Sequence, residues 1–302
     1  MTDSGIPRRT FLAAATSAAV TAVAWSRGAS AAEAATRTAL SAASWSAGGT
    51  RALRLGVASY SLRNFPLAKA LEMIKALRTP FVNFKSVHVP YEKTPQELAA
   101  LRAEIEAAGF QVVGGGTVTF EDSDEDVRRY FDYAKAAGMP TIVCTGPVAV
   151  LPRLERFAKE YHIKVAIHNH GTEDKIFPSP YDVLRQVKEM DPRMGLCIDI
   201  GHTVRTGTDV VQAIRDAGPR LHDMHVKDLR DLKAPESQCI VGEGALPIPA
   251  IFRALQDIEY PGFVNLEYEI DAADPLPGMK QSFAYMRGVL AGMAPATTGG
   301  VR

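Results

Sequence analysis

Ionisable side chains gather where short apolar runs end in the second half of this chain. His168-Asn169-His170 follows "KVAI", Asp199 and His202 close "CIDIGH", Asp223, His225 and Lys227 alternate through "HDMHVKD", and Glu267 and Glu269 alternate in "FVNLEYE". Residues two apart on a strand share a face, so His168 with His170, His225 with Lys227, and Glu267 with Glu269 can point the same way. Buried charge is costly unless paired, so carboxylates and imidazoles converging from four neighbouring strands need a common counter-ion. A divalent metal is the simplest one. One nitrogen or oxygen donor from each run, His168, Asp199, His225 and Glu267, would make a mixed site with positions left for water or substrate. Each residue alone reads better as a strand end hydrogen-bonded to a loop; the four together argue for a metal site.

Such convergence needs strands whose carboxyl ends meet. Eight apolar runs bounded by turn residues begin at "LRLGVASYSL" (53–62) and continue with "FVNFKSVHV", "FQVVGGGTVTF", "TIVCTGP", "KVAIHNHG", "GLCIDIGH", "LHDMHVKD" and "GFVNLEYE". Helical patterns separate them, among them "PLAKALEMIKALR", "TPQELAALRAEIEAAG" and "SDEDVRRYFDYAKAAG". Thr94-Pro95 and Ser123 are start signals, Gly109 and Gly138 stop signals, and Leu98, Leu101, Ile105 and Ala108 mark one helix face. Eight such units in about 240 residues predict a single-domain α/β fold, the (β/α)8 TIM barrel, over residues 51–293. An open doubly wound sheet fits less well, because "ASYSLRN" stands where a glycine-rich phosphate turn would follow the first strand.

The remaining sequence narrows the setting. Arg8-Arg9, an alanine-rich apolar stretch and Ala29-Ser30-Ala31 resemble a twin-arginine signal peptide over residues 1–31, too short in its apolar part to span a bilayer. Residues 32–50 read as an Ala/Ser/Thr/Gly linker, and 294–302 as a disordered tail. Export by the twin-arginine machinery to the periplasm or beyond is expected. Lys plus Arg equals Asp plus Glu at 34 each, so no basic field exists to attract nucleic acid. Cys144, Cys197 and Cys239 read as buried small residues without a disulfide framework. "GGG" at 114–116 lets backbone or substrate approach closely.

"CIDIGH", "HDMHVKD" and "FVNLEYE", together with the eightfold alternation, resemble the xylose isomerase-like TIM-barrel superfamily of sugar isomerases and epimerases. The resemblance implies that Asp199, His225 and Glu267 hold one divalent metal, commonly manganese, with magnesium, cobalt or zinc as alternatives, and that His202 binds substrate hydroxyls. It also implies a glutamate on the fifth strand, where His168 stands. His168 would therefore be a ligand that makes the ion a stronger Lewis acid and brings a base titrating nearer neutrality. Glu267 would move a proton on the carbon beside a polarised carbonyl, with His168 or His202 serving the other face. Lys85, His88, His170, Lys227 and Glu243, the last in a loop where the superfamily often has Gly-Glu-Gly, are candidate substrate contacts. The expected activity is isomerisation or epimerisation of a sugar or keto-sugar. Elimination or hydration on a 3-keto-glycoside is the alternative chemistry, and a non-catalytic carbohydrate-binding barrel the alternative class.

Overall fold

Parallel strands pair in chain order, and the last returns to the first. The computed structural model describes residues 52–293. Its strands are β1 (Arg54–Ala58), β2 (Phe81–Phe84), β3 (Gln111–Thr119), β4 (Thr141–Thr145), β5 (Lys164–His168), β6 (Met194–Asp199), β7 (Leu221–Val226) and β8 (Phe263–Leu266). Each lies beside its sequence neighbour, and β8 closes on β1 with Arg54 opposite Phe263 and Val57 opposite Leu266. This is the predicted (β/α)8 barrel. Helices α1 (Leu67–Ala76), α2 (Pro95–Ala107), α3 (Asp124–Ala136), α4 (Leu151–Tyr161) and α5 (Pro180–Val187) follow the first five strands. Two, α6 (Ile200–Arg205) and α7 (Val210–Ala217), lie between β6 and β7; α8 (Ile248–Asp257) precedes β8 and α9 (Leu276–Met293) follows it.

Because helices cover one face of the sheet and the interior fills the other, strands such as β4 and β6 are buried on both faces and mostly apolar. The expected helix signals work locally. Thr94 and Glu97 form a capping box on α2, Ser123 Oγ accepts from Asp126 N on α3, and Gly109 and Gly138 take φ of 89° and 70° just past these helices. Leu98 and Ile105 are buried and Leu101 half-buried, but Ala108 is exposed, since the helix has ended by then. The glycine run admits protein rather than a ligand: a Cβ on Gly115 would meet Met139 Sδ at 2.2 Å, and one on Gly116 the Val143 carbonyl at 2.0 Å. All three cysteines are free and buried.

A polar layer lies inside the barrel below the strand ends. Asp223 accepts hydrogen bonds from Asn83 Nδ2 at 2.5 Å and Asn265 Nδ2 at 2.7 Å, and burial pushes its pKa up to about 6. After β7 the chain makes a small antiparallel ladder, Asp228–Leu229 with Gln238–Cys239, before α8. The stretches read as signal peptide, linker and tail lie outside the described residues. Among the described residues no helix is long and apolar enough to cross a membrane.

His222 points to the outer face of β7, the opposite side from Asp223. It is buried with Nδ1 at 3.0 Å from the Val165 carbonyl, and burial lowers its pKa to about 4 from 6.5. The unfolded chain therefore binds a proton that the folded chain refuses between those values, and stability contributed by neutral His222 is lost as pH falls below 6.5. Urea unfolding at pH 7 and pH 5 should show a fall of about 2 kcal/mol from this residue. His222→Asn should remove that part of the slope; an unchanged slope would contradict it.

Candidate metal centre

The site begins with a helix cap. Asp199 ends β6 and caps α6: its Oδ1 accepts the His202 backbone N–H at 2.9 Å, which engages one carboxylate oxygen and sets His202 one turn into the helix. Asn169 locks this corner to β5 by accepting from Asp199 N at 3.1 Å and donating to Thr203 Oγ1 at 3.1 Å. The other carboxylate oxygen, Asp199 Oδ2, is buried and accepts no hydrogen bond.

Around that oxygen stand the other predicted ligands. One donor atom each from His168, Asp199, His225 and Glu267 lies within 4.8 Å of all the others. His168 Nε2 is 3.2 Å from His225 Nδ1 and 3.7 Å from Asp199 Oδ2, and His225 Nδ1 is 3.3 Å from Glu267 Oε2. Asp199 is fully buried, and the Glu267 side chain is only 12% exposed. A buried carboxylate oxygen that accepts no hydrogen bond, paired with the Lys227 ammonium and facing two imidazole nitrogens and a second carboxylate, fits a divalent ion of intermediate hardness. Cys197 Sγ comes within the same distance of His168 and His225, a sulfur donor that sequence reasoning had placed only in the core.

Burial and neighbouring charge divide the titrations. Burial lowers His168 to about 3, and His202 to about 4, against the pull of Asp199, so both imidazoles are neutral near pH 7. Burial also opposes charge on Asp199 and Glu267, yet nearby cations outweigh it and hold both carboxyls well below the usual range: chiefly Lys227 for Asp199, and His225 then Lys227 for Glu267. Burial works against a charged His225 as well. Since Cys197 is itself pushed up to about 12 and uncharged, the Glu267 carboxylate is what raises His225 well above its ordinary value in the metal-free site.

The predicted substrate contacts divide into two groups. Lys227, His170 and Lys85 are at the cluster or its rim. The Lys227 ammonium sits 3.0 Å from Asp199 Oδ2, 3.0 Å from Glu267 Oε2 and 2.5 Å from Glu269 Oε2. His170 Nδ1 is 3.3 Å from His168 Nδ1, and its ring centre is 4.9 Å from that of His202. Lys85, in the turn after β2, has its pKa lowered by burial against the opposing charges of Glu267 and Glu269. His88 and Glu243 are held elsewhere. Ser59 Oγ and the Phe65 carbonyl take both His88 ring nitrogens, at 3.0 and 3.1 Å, while exposed Glu243 pairs with Arg230.

Arg205 was not anticipated. Its buried guanidinium is held by Glu173 in a bidentate pair at 2.6 and 2.9 Å and donates to His202 Nδ1 at 2.5 Å, leaving the His202 proton on Nε2. The signal was present as a basic residue one turn after His202 in "HTVR", but arginines at helix ends are common.

The description "xylose isomerase-like TIM barrel" belongs to the family whose model matches residues 68–289. The chain belongs to this family. An inosose dehydratase of Lacticaseibacillus casei is 23% identical over 235 residues, covering 72% of this chain and 76% of that one. A Clostridium perfringens inosose dehydratase is 27% identical over 147 residues, 41% of this chain and only 46% of the relative. The 3-keto-D-glucoside 4-epimerase of E. coli superposes with a TM-score of 0.62 at 17% identity, over 78% of this chain and 99% of that one.

Asp199→Asn keeps a side chain able to cap α6 while removing the carboxylate charge, so it separates ligand from cap. Manganese at a hundred times its Kd should stabilise the wild-type protein by about 2.7 kcal/mol in thermal melts, and the variant should lose most of that gain. An equal gain in both would place the bound ion elsewhere.

Proposed function

We propose that the protein is a divalent-metal-dependent enzyme that removes a proton from the carbon beside the carbonyl of a sugar or keto-sugar, as an isomerase or epimerase does. The observation that carries this reading is the set of four donors from β5, β6, β7 and the end of β8, meeting around a buried Asp199 oxygen that accepts no hydrogen bond. Relatives named as acting on inosose and on a 3-keto-glucoside support a polyhydroxylated ketone as substrate. His168, Asp199, His225 and Glu267 would hold the ion, with manganese the metal we propose. The ion would supply Lewis acidity toward the carbonyl oxygen.

The chain supplies the proton chemistry. Glu267 Oε2 is taken up by His225 and Lys227, whereas Oε1 makes no hydrogen bond among the described residues and is the atom left to receive the carbon-bound proton. Gln238 Nε2 donates to the Glu267 carbonyl at 2.7 Å, and Ser61 Oγ accepts from Tyr268 N at 2.8 Å, so the backbone carrying Glu267 is fixed from two sides. His202 presents Nε2–H as a donor toward a substrate oxygen.

Elimination is the second reading, and one feature favours it. The wall of the site formed after β5 and β6 presents the imidazoles of His168, His170 and His202, with ring centres 4.5 to 5.8 Å apart, and its carboxylate, Asp199, is already committed to capping α6 and pairing with Lys227. A donor N–H there suits a hydrogen bond to a departing hydroxyl: the C–H proton goes to Glu267, which passes it to the leaving oxygen, so water departs and Glu267 is a carboxylate again while His202 stays neutral.

Both readings share the first step. Manganese-loaded protein incubated with a panel of keto-sugars in deuterated buffer should incorporate deuterium beside the carbonyl, followed by NMR, while growth of enone absorbance would mark elimination. Glu267→Gln should slow incorporation by about 10²- to 10⁴-fold. Incorporation undiminished in that variant, or none with any sugar, would overturn the assignment.

A further inference from the structure

Lys227 brings a positive charge into a cluster already suited to a divalent cation. Its ammonium is 3.0 Å from Asp199 Oδ2 and from Glu267 Oε2, which both belong to residues of the four-donor set, and 2.5 Å from Glu269 Oε2. The side chain is only 4% exposed, so water screens it little. The fold also makes room for its stem. A Cβ on Gly201 would approach Lys227 Cγ to 2.7 Å and Cδ to 2.8 Å, so the glycine of "DIGH" clears the groove in which the lysine lies. The opposing wall is the extension of β8, where Gln238 Oε1 accepts from Glu269 N at 3.0 Å and Arg63 donates to the Glu269 carbonyl at 2.8 Å.

The charges can be counted. Asp199, Glu267 and Glu269 contribute three negative charges and Lys227 one positive charge, so when His168 and His225 serve as neutral ligands two negative charges remain for a divalent ion to cancel. Before the ion arrives, Lys227 is the ammonium that bridges Asp199 and Glu267 and, together with His225 beside Glu267, offsets their repulsion. Afterwards two cations share the same carboxylates, and their mutual repulsion weakens the hold on the ion.

We propose that Lys227 is a resident counter-ion, seated in the Gly201 groove, that preassembles the empty metal site and limits the affinity of the filled one. This rests on the metal-site reading above. It assigns Lys227 a positioning role toward the ion in place of a contact with substrate, and makes Glu269 the carboxylate that offsets it.

Manganese titration by calorimetry and thermal melts of the chelator-stripped protein test this directly. Lys227→Gln should melt several degrees lower than wild type when stripped and bind manganese at least about tenfold more tightly. Gly201→Ala, which crowds the lysine stem, should move both quantities in the same directions. Glu269→Gln, a change at a partly exposed side chain, should leave folding intact and weaken manganese binding by about tenfold, because the offsetting charge is gone. Manganese binding to Lys227→Gln that equals or falls below wild type would overturn the proposal. Where that variant does not fold, unchanged or tighter binding by Glu269→Gln would overturn it. A wild-type protein that binds no manganese would overturn the metal-site reading itself, a result distinct from either.

Discussion

Two carboxylates withdrawn from water at the end of a closed barrel must be neutralised where they stand, and the arrangement around Asp199 and Glu267 follows from that requirement. Removing one partner from a buried ionic cluster typically costs about 3–5 kcal/mol, because the charge left behind has no solvent to turn to. The chain meets the requirement with His225, Lys227 and an oxygen-and-nitrogen donor set that a divalent ion would complete. Much of the local architecture then serves to hold these groups in register. Asp199 caps a helix, Asn169 ties β5 to β6, and Gln238, Ser61 and Arg63 clamp the backbone beyond β8.

The barrel supplies what no single motif could. Parallel strands closing in chain order bring β5, β6, β7 and β8 side by side with all their carboxyl ends on one rim, so four residues spread over a hundred positions become neighbours. Within that ring the chemistry is unevenly spread. Glu267 and Glu269 lie on the β8 side together with Lys227, while the neutral imidazoles of His168 and His202 stand around Asp199 on the β5 and β6 side, the latter given a fixed tautomer by Arg205. A base facing hydrogen-bond donors is the arrangement that separates acid from base duties.

Much of this was legible in the sequence because period and position carry it. The period-two alternation in "HDMHVKD" put Asp223, His225 and Lys227 on one inward face, and the apolar runs between turn signals marked all eight strands. What escaped depended on contacts between distant segments. Arg205 acquires its role only because Glu173, on the turn after β5, reaches across to grip it. The missing side chain of Gly201 clears a path for Lys227, which comes from the next strand. His88 failed as a site residue for the converse reason. Its position after β2 suggested the rim, but Ser59 and Phe65 already occupy its ring. The third glycine of "GGG" likewise accommodates the β4 backbone.

The central claim is that His168, Asp199, His225 and Glu267 close around one divalent ion. Crystals of the manganese-loaded protein, measured for anomalous scattering at the manganese edge, test it most directly. The account predicts one strong peak per chain, bonded to a nitrogen of each histidine and an oxygen of each carboxylate. A peak elsewhere, or none while the four side chains remain as they are without metal, would contradict it.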